Sequence, residues 1–237
     1  MEYFLVKPIC SPPPLSAFTD IARTRPTEKE MERRRNELKI IVTTGLGSDV
    51  DRYASQSPTL VKQILKLKRK KWQIGWGSAG TGTFSRAPYE QQKGIIVIDS
   101  NFNNGDSQNI AYVTSTLAHE VGHSYFHKEP DLSSFDKCME SLMVGGGSEA
   151  DAIVNQIVVR NEILKEACID IFEEGREYDF MKNEFVQFYG EGIRTGDMKT
   201  AKMKIAKIYS EQYTSTSNPP QKYKDSYGDY CKKNAKK

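Results

Sequence analysis

The spacing of apolar residues changes period several times along this chain, and each change marks an element. From Ile110 to His127, apolar residues recur at helical intervals: Ile110, Val113, Leu117 and Val121. No Gly or Pro interrupts that run before Gly122. It predicts a helix with one core-facing stripe, stopped by Glu129-Pro130. Upstream, Thr27 to Val42 reads as a helix opened by a Thr27/Glu30 capping box and ended by Gly45. Ser57-Pro58 opens another over Thr59 to Lys71, with Pro58 suited to the first turn. Val61, Ile64 and Leu65 would face inward there, with Leu67 beside them.

Alternation replaces the helical period at Trp72, Ile74 and Trp76, and again at Thr81 and Thr83. Gly75, Gly77, Gly80 and Gly82 lie in and between these stretches, which predicts a twisted hairpin with a glycine-rich turn. Gly75-x-Gly77-x-x-Gly80 has the spacing of a dinucleotide fingerprint, but no helix follows and no βαβ unit frames it. Ile95-Ile96-Val97-Ile98 is an unbroken apolar strand, ended by Asp99-Ser100-Asn101. Beyond the Ile110 helix, Asp131 to Met143 holds a short helix and Gly145-Gly146-Gly147 a break. Ser148 caps a long helix from Glu149 to about Glu173. Two more helices run near Tyr178 to Tyr189 and from Asp197 to Tyr213. Helices, then two or three strands, then helices again make an α+β arrangement, mostly helical with a small twisted sheet.

This pattern divides the chain into a Pro-rich arm (1–20, with Pro8 and Pro12-Pro13-Pro14), a body (21–213) and a polar tail (214–237). The tail is rich in Tyr and Lys and is expected to wrap the body or to be disordered. With 237 residues, 38% hydrophobic and 27% charged, the chain reads as globular with a substantial core. No apolar run approaches the roughly 18 residues of a membrane span, so no membrane span is expected. Met1 to Pro8 lacks the basic and long apolar regions of a cleaved signal. The expected location is therefore outside the cell by a route that reads no cleaved signal, or the cytoplasm.

A net charge of +3 is too mild to argue for nucleic acid, and none is expected as a partner. The Lys/Arg clusters at Lys66 to Lys71 and Lys232 to Lys237 read as a solvated face and a tail. Cys10, Cys138, Cys168 and Cys231 show no C-x-x-C spacing. A cysteine zinc site is not indicated, and two disulfides with any of three pairings are open.

Chemistry concentrates on the Ile110 helix. His119-Glu120-Val121-Gly122-His123 spells H-E-x-x-H and uses two of the chain's 3 His. His119 and His123 are one turn apart and point the same way, the arrangement that lets two imidazoles bind one tetrahedral Zn²⁺. Glu120 lies beside the pair, placed to act as general base on a water activated by the metal. A third protein ligand is needed. His127 extends the row but lies about 12 Å from His119 along a straight helix, at ~1.5 Å rise per residue. It is expected to line a pocket or lie on the surface. A carboxylate from the helix after the triple glycine is the better candidate: Glu149 in its first turn, with Asp151 as the alternative. Ala150 and Ala152 are small enough to let the two helices approach. Asp136 and Glu140 are outlying candidates.

His-Glu-x-Gly-His followed by Ser148-Glu149-Ala150-Asp151 resembles the gluzincin zinc metallopeptidases, in particular toxin-type members of the anthrax lethal factor kind. The likeness covers about His119 to Gln156, and Ser148 stands where the family has Asn. It implies a zincin-like domain with His119, His123 and Glu149 as zinc ligands and Glu120 as catalytic base. An oxyanion-binding Tyr is also implied, with Tyr125, Tyr178 and Tyr189 as unranked candidates. The implied activity is peptide-bond hydrolysis by a secreted bacterial effector or toxin. A peptide or protein substrate follows, cell-wall peptides among them, with a cognate immunity or secretion partner. An edge strand beside the cleft would pair with an extended peptide; residues 94–99 or 81–85 are the candidates. Two other readings stay open, an intracellular regulatory protease and a non-catalytic zinc-containing binding module.

Overall fold

The computed structural model describes residues 41–88, 92–172, 179–214 and 220–236. The Pro-rich arm, and all of the Thr27–Val42 helix but its last two residues, lie outside them, as does Tyr178. Helices α1 (Ser48–Ala54) and α2 (Pro58–Arg69) lead into strands β1 (Gln73–Trp76), β2 (Phe84–Arg86) and β3 (Ile95–Ile98). Helices α3 (Ser107–Phe126), α4 (Phe135–Val144), α5 (Glu149–Ala167), α6 (Asp179–Thr195), α7 (Met198–Gln212) and α8 (Tyr223–Asn234) follow. The result is a mostly helical α+β fold with one small mixed sheet.

The helix boundaries follow local chemistry. Ser57 caps α2 by accepting from the Leu60 N–H, and Leu60, Ile64 and Leu67 are its buried stripe. Val61 and Leu65 pack on the core only partly buried. The Ser57 hydroxyl also donates to Glu162 on α5, and Glu162 accepts from the Thr59 backbone and hydroxyl. This carboxylate at the start of α2 suits the positive end of the helix and ties α2 to α5. Asp106 caps α3 and Ser148 caps α5, each with a side-chain oxygen. Helix α5 stops at Ala167, six residues short of Glu173. Cys168 adopts a left-handed φ of 60°, and Asp170 turns back to pair with Arg160 and to accept from the Phe172 N–H.

The sheet differs from the expected hairpin. Its order is β1-β3-β2, with β1 parallel and β2 antiparallel to β3. The glycine-rich segment does not return β2 against β1. It crosses the end of β3, where the Asp99 carboxylate accepts from the Gly80 and Gly82 backbone N–H at 3.0 and 2.9 Å. Thr83 Oγ1 in turn accepts from the Asp99 N–H. Side-chain capture of the loop outweighs the alternation that suggested a hairpin. The most apolar strand thus becomes central, with Ile96 and Ile98 fully buried.

Helices α3 and α5 make the broadest interhelical contact. Val113, Leu117 and Val121 of the expected stripe are buried, and Ile110 packs against the core partly exposed. Gly122 meets α5 at its closest point: a Cβ there would lie 2.8 Å from Ala152 Cα and 3.0 Å from Asn155 Cβ. The small residues of α5 do admit the close approach. The Asn155 amide seals it, donating to the Ala118 carbonyl at 2.7 Å and exchanging hydrogen bonds with Gln63 of α2.

Residues 220–236, expected to wrap or to be disordered, form α8 and the segments flanking it. A buried Cys138–Cys231 disulfide joins α8 to α4 across 93 residues of sequence. The Lys236 N–H donates to the Leu132 carbonyl, and the Tyr223 N–H to the Tyr213 carbonyl. No helix among the described residues is long and apolar enough to cross a membrane.

Candidate metal centre

His119 and His123 project from one face of α3, and Glu149 meets them from the first turn of α5. Among the described residues these three form a group that could hold a metal ion. His119 Nε2 lies 3.1 Å from His123 Nε2 and 3.1 Å from Glu149 Oε2, and His123 Nε2 lies 3.3 Å from the same oxygen. Three ligands on a tetrahedral ion with bonds of ~2.0–2.1 Å would stand about 3.3 Å apart. The triangle therefore matches one face of such a site, and the donor set of two imidazoles and one carboxylate suits it. His123 Nδ1 donates to the Gly147 carbonyl at 2.7 Å, which makes Nε2 the acceptor nitrogen facing the group whenever the ring is neutral.

Charge is matched here among largely buried side chains. Burial by itself would lower the His123 pKa. The Glu149 carboxylate more than offsets this through its charge and hydrogen bond, and Glu120 and the Gly147 carbonyl add to it, so the imidazole is pushed up to about 9. For Glu149, burial favours the neutral form, yet the neighbouring His123 and His119 hold the carboxyl far below the usual range.

Glu120 is buried and lines the same cavity, which encloses about 900 Å³. It faces this space rather than joining the three-residue group. Asp151, the alternative ligand, is held elsewhere: one carboxylate oxygen pairs with Lys202 and the other accepts from the Gly147 N–H. His127 sits at the cavity rim, half-exposed, 3.2 Å from Glu129. Glu140 pairs with Lys199 on the surface, and Asp136 lies in the first turn of α4 outside the group.

Among the described residues, neither Tyr125 nor Tyr189 is placed at the site. Tyr125 sits under the Lys66 ammonium, and Tyr189 is not among the residues lining the cavity. Instead Tyr209 of α7, Tyr213 just past its end and Tyr223 of α8 line it. Burial, then the charge of Glu149, pushes the Tyr223 phenol up to about 12 and the Tyr209 phenol well above its ordinary value. Both stay protonated near neutral pH, as hydrogen-bond donors. The available signal was the i, i+4 spacing of Tyr209/Tyr213 and of Tyr223/Tyr227. It does not reveal which face of either helix meets the motif.

No protein-family model, curated protein or solved structure matches this chain. The expected partners are corrected accordingly. Neither these comparisons nor the structure carries a peptide or protein substrate or a cognate immunity or secretion protein, and no partner is assigned. The strand expected to grip an extended chain through residues 94–99 has no free edge, because β1 and β2 occupy both its sides. The edge strand among those lining the cavity is β2, through Phe84, Ser85 and Arg86.

Proposed function

We propose that the chain is a zinc-dependent metallopeptidase of the gluzincin kind, in which His119, His123 and Glu149 hold the metal. The observation that carries this reading is the triangle of donor atoms at 3.1–3.3 Å, with Glu120 buried in the same cavity. Two imidazoles and a carboxylate on a tetrahedral face favour zinc over oxygen-seeking Mg²⁺ or Ca²⁺. Three protein donors leave a coordination position open, whereas a structural site is closed by four. Bound there, zinc supplies a Lewis acid that polarises a carbonyl and lowers the pKa of water.

The chain's own residues do the rest. Glu120 takes a proton from the attacking water and passes it to the leaving amine. The Tyr223 phenol, which accepts a hydrogen bond from Tyr209, keeps its own proton as a neutral donor suited to an oxygen that gains negative charge. The Cys138–Cys231 disulfide supports a working location that is oxidising, outside the reducing cytosol. That favours an exported effector over an intracellular regulatory protease.

The test is metal analysis with hydrolysis of a quenched fluorogenic peptide library. Glu120→Gln should keep one zinc per chain and lose at least about 10²-fold in rate, the usual worth of a positioned general base. His119→Ala should lose both. Undiminished hydrolysis by Glu120→Gln, or a wild-type chain that binds no zinc, would overturn the reading.

A further inference from the structure

The metal-binding face is supported by a chain of contacts that starts on a third helix. The Lys202 ammonium on α7 pairs with one oxygen of Asp151. The other oxygen accepts from the Gly147 N–H at 3.0 Å. The Gly147 carbonyl then accepts from His123 Nδ1 at 2.7 Å. Each contact is sheltered: the Asp151 side chain is 9% exposed and that of Lys202 29%.

Residues 145–147 make this chain of contacts necessary. Gly147 has φ +82°, and a Cβ there would lie 2.8 Å from both the His123 carbonyl oxygen and the His127 Cα. Only glycine lets the backbone come so close to α3. Three consecutive glycines also leave the backbone its widest conformational choice, so the carbonyl that orients His123 needs an anchor. Asp151 provides it, and Lys202 holds Asp151 in place. The ion pair also keeps the second carboxylate of the α5 first turn directed away from the Glu149 group.

We propose that Asp151 and Lys202 are positioning residues that set the tautomer and ring orientation of His123 through the Gly147 backbone. This rests on the metal-centre reading above. Outer partners of a ligating histidine commonly change metal affinity by roughly 10- to 100-fold when removed.

Zinc affinity of the full-length chain, measured by competition with a chromophoric chelator, tests the proposal. Lys202→Met and Asp151→Asn should each weaken zinc binding by about 10- to 100-fold. Lys202→Arg, which keeps the charge, should restore affinity to within a few-fold of wild type. Lys199→Met removes an exposed ion pair from the same helix and should leave zinc affinity unchanged. A merely structural role for the ion pair would lower thermal stability without this pattern of loss and rescue. Wild-type zinc affinity in Lys202→Met, or an equal loss in Lys199→Met, would overturn the proposal. Should Asp151→Asn fail to fold, the three lysine variants decide alone. A wild-type chain that binds no zinc would overturn the metal reading itself, whereas a wild type that binds with unaffected variants would overturn only the positioning role.

Discussion

The floor of the cavity and its wall are built by different physics. The floor is α3 against α5. Its residues sit one helical turn apart or face each other across small side chains, and Gly122, Ala118, Ala152 and Asn155 pull the two backbones together. The wall is α7, the residue after it and α8, where Tyr209, Tyr213 and Tyr223 line the cavity. It is held by a covalent bond between residues 93 positions apart, an aromatic cluster and the Lys202–Asp151 pair. Close packing brings together the side chains that could hold a metal; long-range tethers fix the residues that surround them. The packing of α3 on α5 should therefore survive changes that release the wall, even where loss of the Lys202–Asp151 pair weakens metal binding, and the reverse should not hold.

The largest expected effect comes from cutting the covalent tether. Replacing Cys138 and Cys231 together by Ser should cost about 2–4 kcal/mol of stability, as for a disulfide that closes a long loop. Hydrogen exchange should show α8 amides losing protection while α3 and α5 amides keep theirs. Uniform loss across all helices would abolish the distinction drawn here.

A smaller loss should follow from disturbing the floor. In Gly122→Ala the new Cβ meets backbone at 2.8 Å on Ala152. Overpacking of this kind costs about 1–3 kcal/mol, against a helix-propensity gain of about 1 kcal/mol for Ala over Gly. The net is destabilisation of up to about 2 kcal/mol, read by urea denaturation, with weakened zinc binding alongside it.

The third effect is a pH dependence that belongs to the floor. The His123 pKa is raised from 6.5 to about 9 in the folded chain. Its stabilising contribution is thus complete below pH 6.5 and is lost as pH rises through about 9. The Glu149 pKa is lowered from 4.5, so its contribution is complete above pH 4.5 and is lost in strong acid. Metal-free protein should be less stable at pH 9 than at pH 6, and His123→Ala should flatten that slope. Denaturation at the two pH values measures it.

The smallest effect is expected at the wall itself. Tyr223→Phe removes one phenol and its hydrogen bond with Tyr209 but keeps the ring. It should cost about 0.5–1.5 kcal/mol and leave zinc affinity unchanged. A large loss of affinity would make the wall part of the binding site.

Much of the floor was legible in the chain. Helical spacing placed His119, Glu120 and His123, the triple glycine and Ser148 marked the start of α5, and Glu149 met the two histidines as the first candidate. These readings rest on local rules, since one turn of helix determines which side chains share a face. The sheet was misread because β pairing is nonlocal, and Asp99 captures the glycine-rich loop from across the strand. The choice between a wrapped and a disordered tail stayed open in the sequence, because a polar stretch carries no period that forecasts a disulfide partner 93 residues away.

By itself, then, the sequence determined the helical α+β class, the motif helix and the donor residues on it, because helix geometry is set within a few residues. Only the tertiary structure decided that β3 is central, that Asp151 serves Lys202 and Gly147 rather than the metal group, and that Tyr209 and Tyr223 face the cavity. Each of these depends on which distant surfaces meet, and that is settled by packing, burial and a covalent link across the fold.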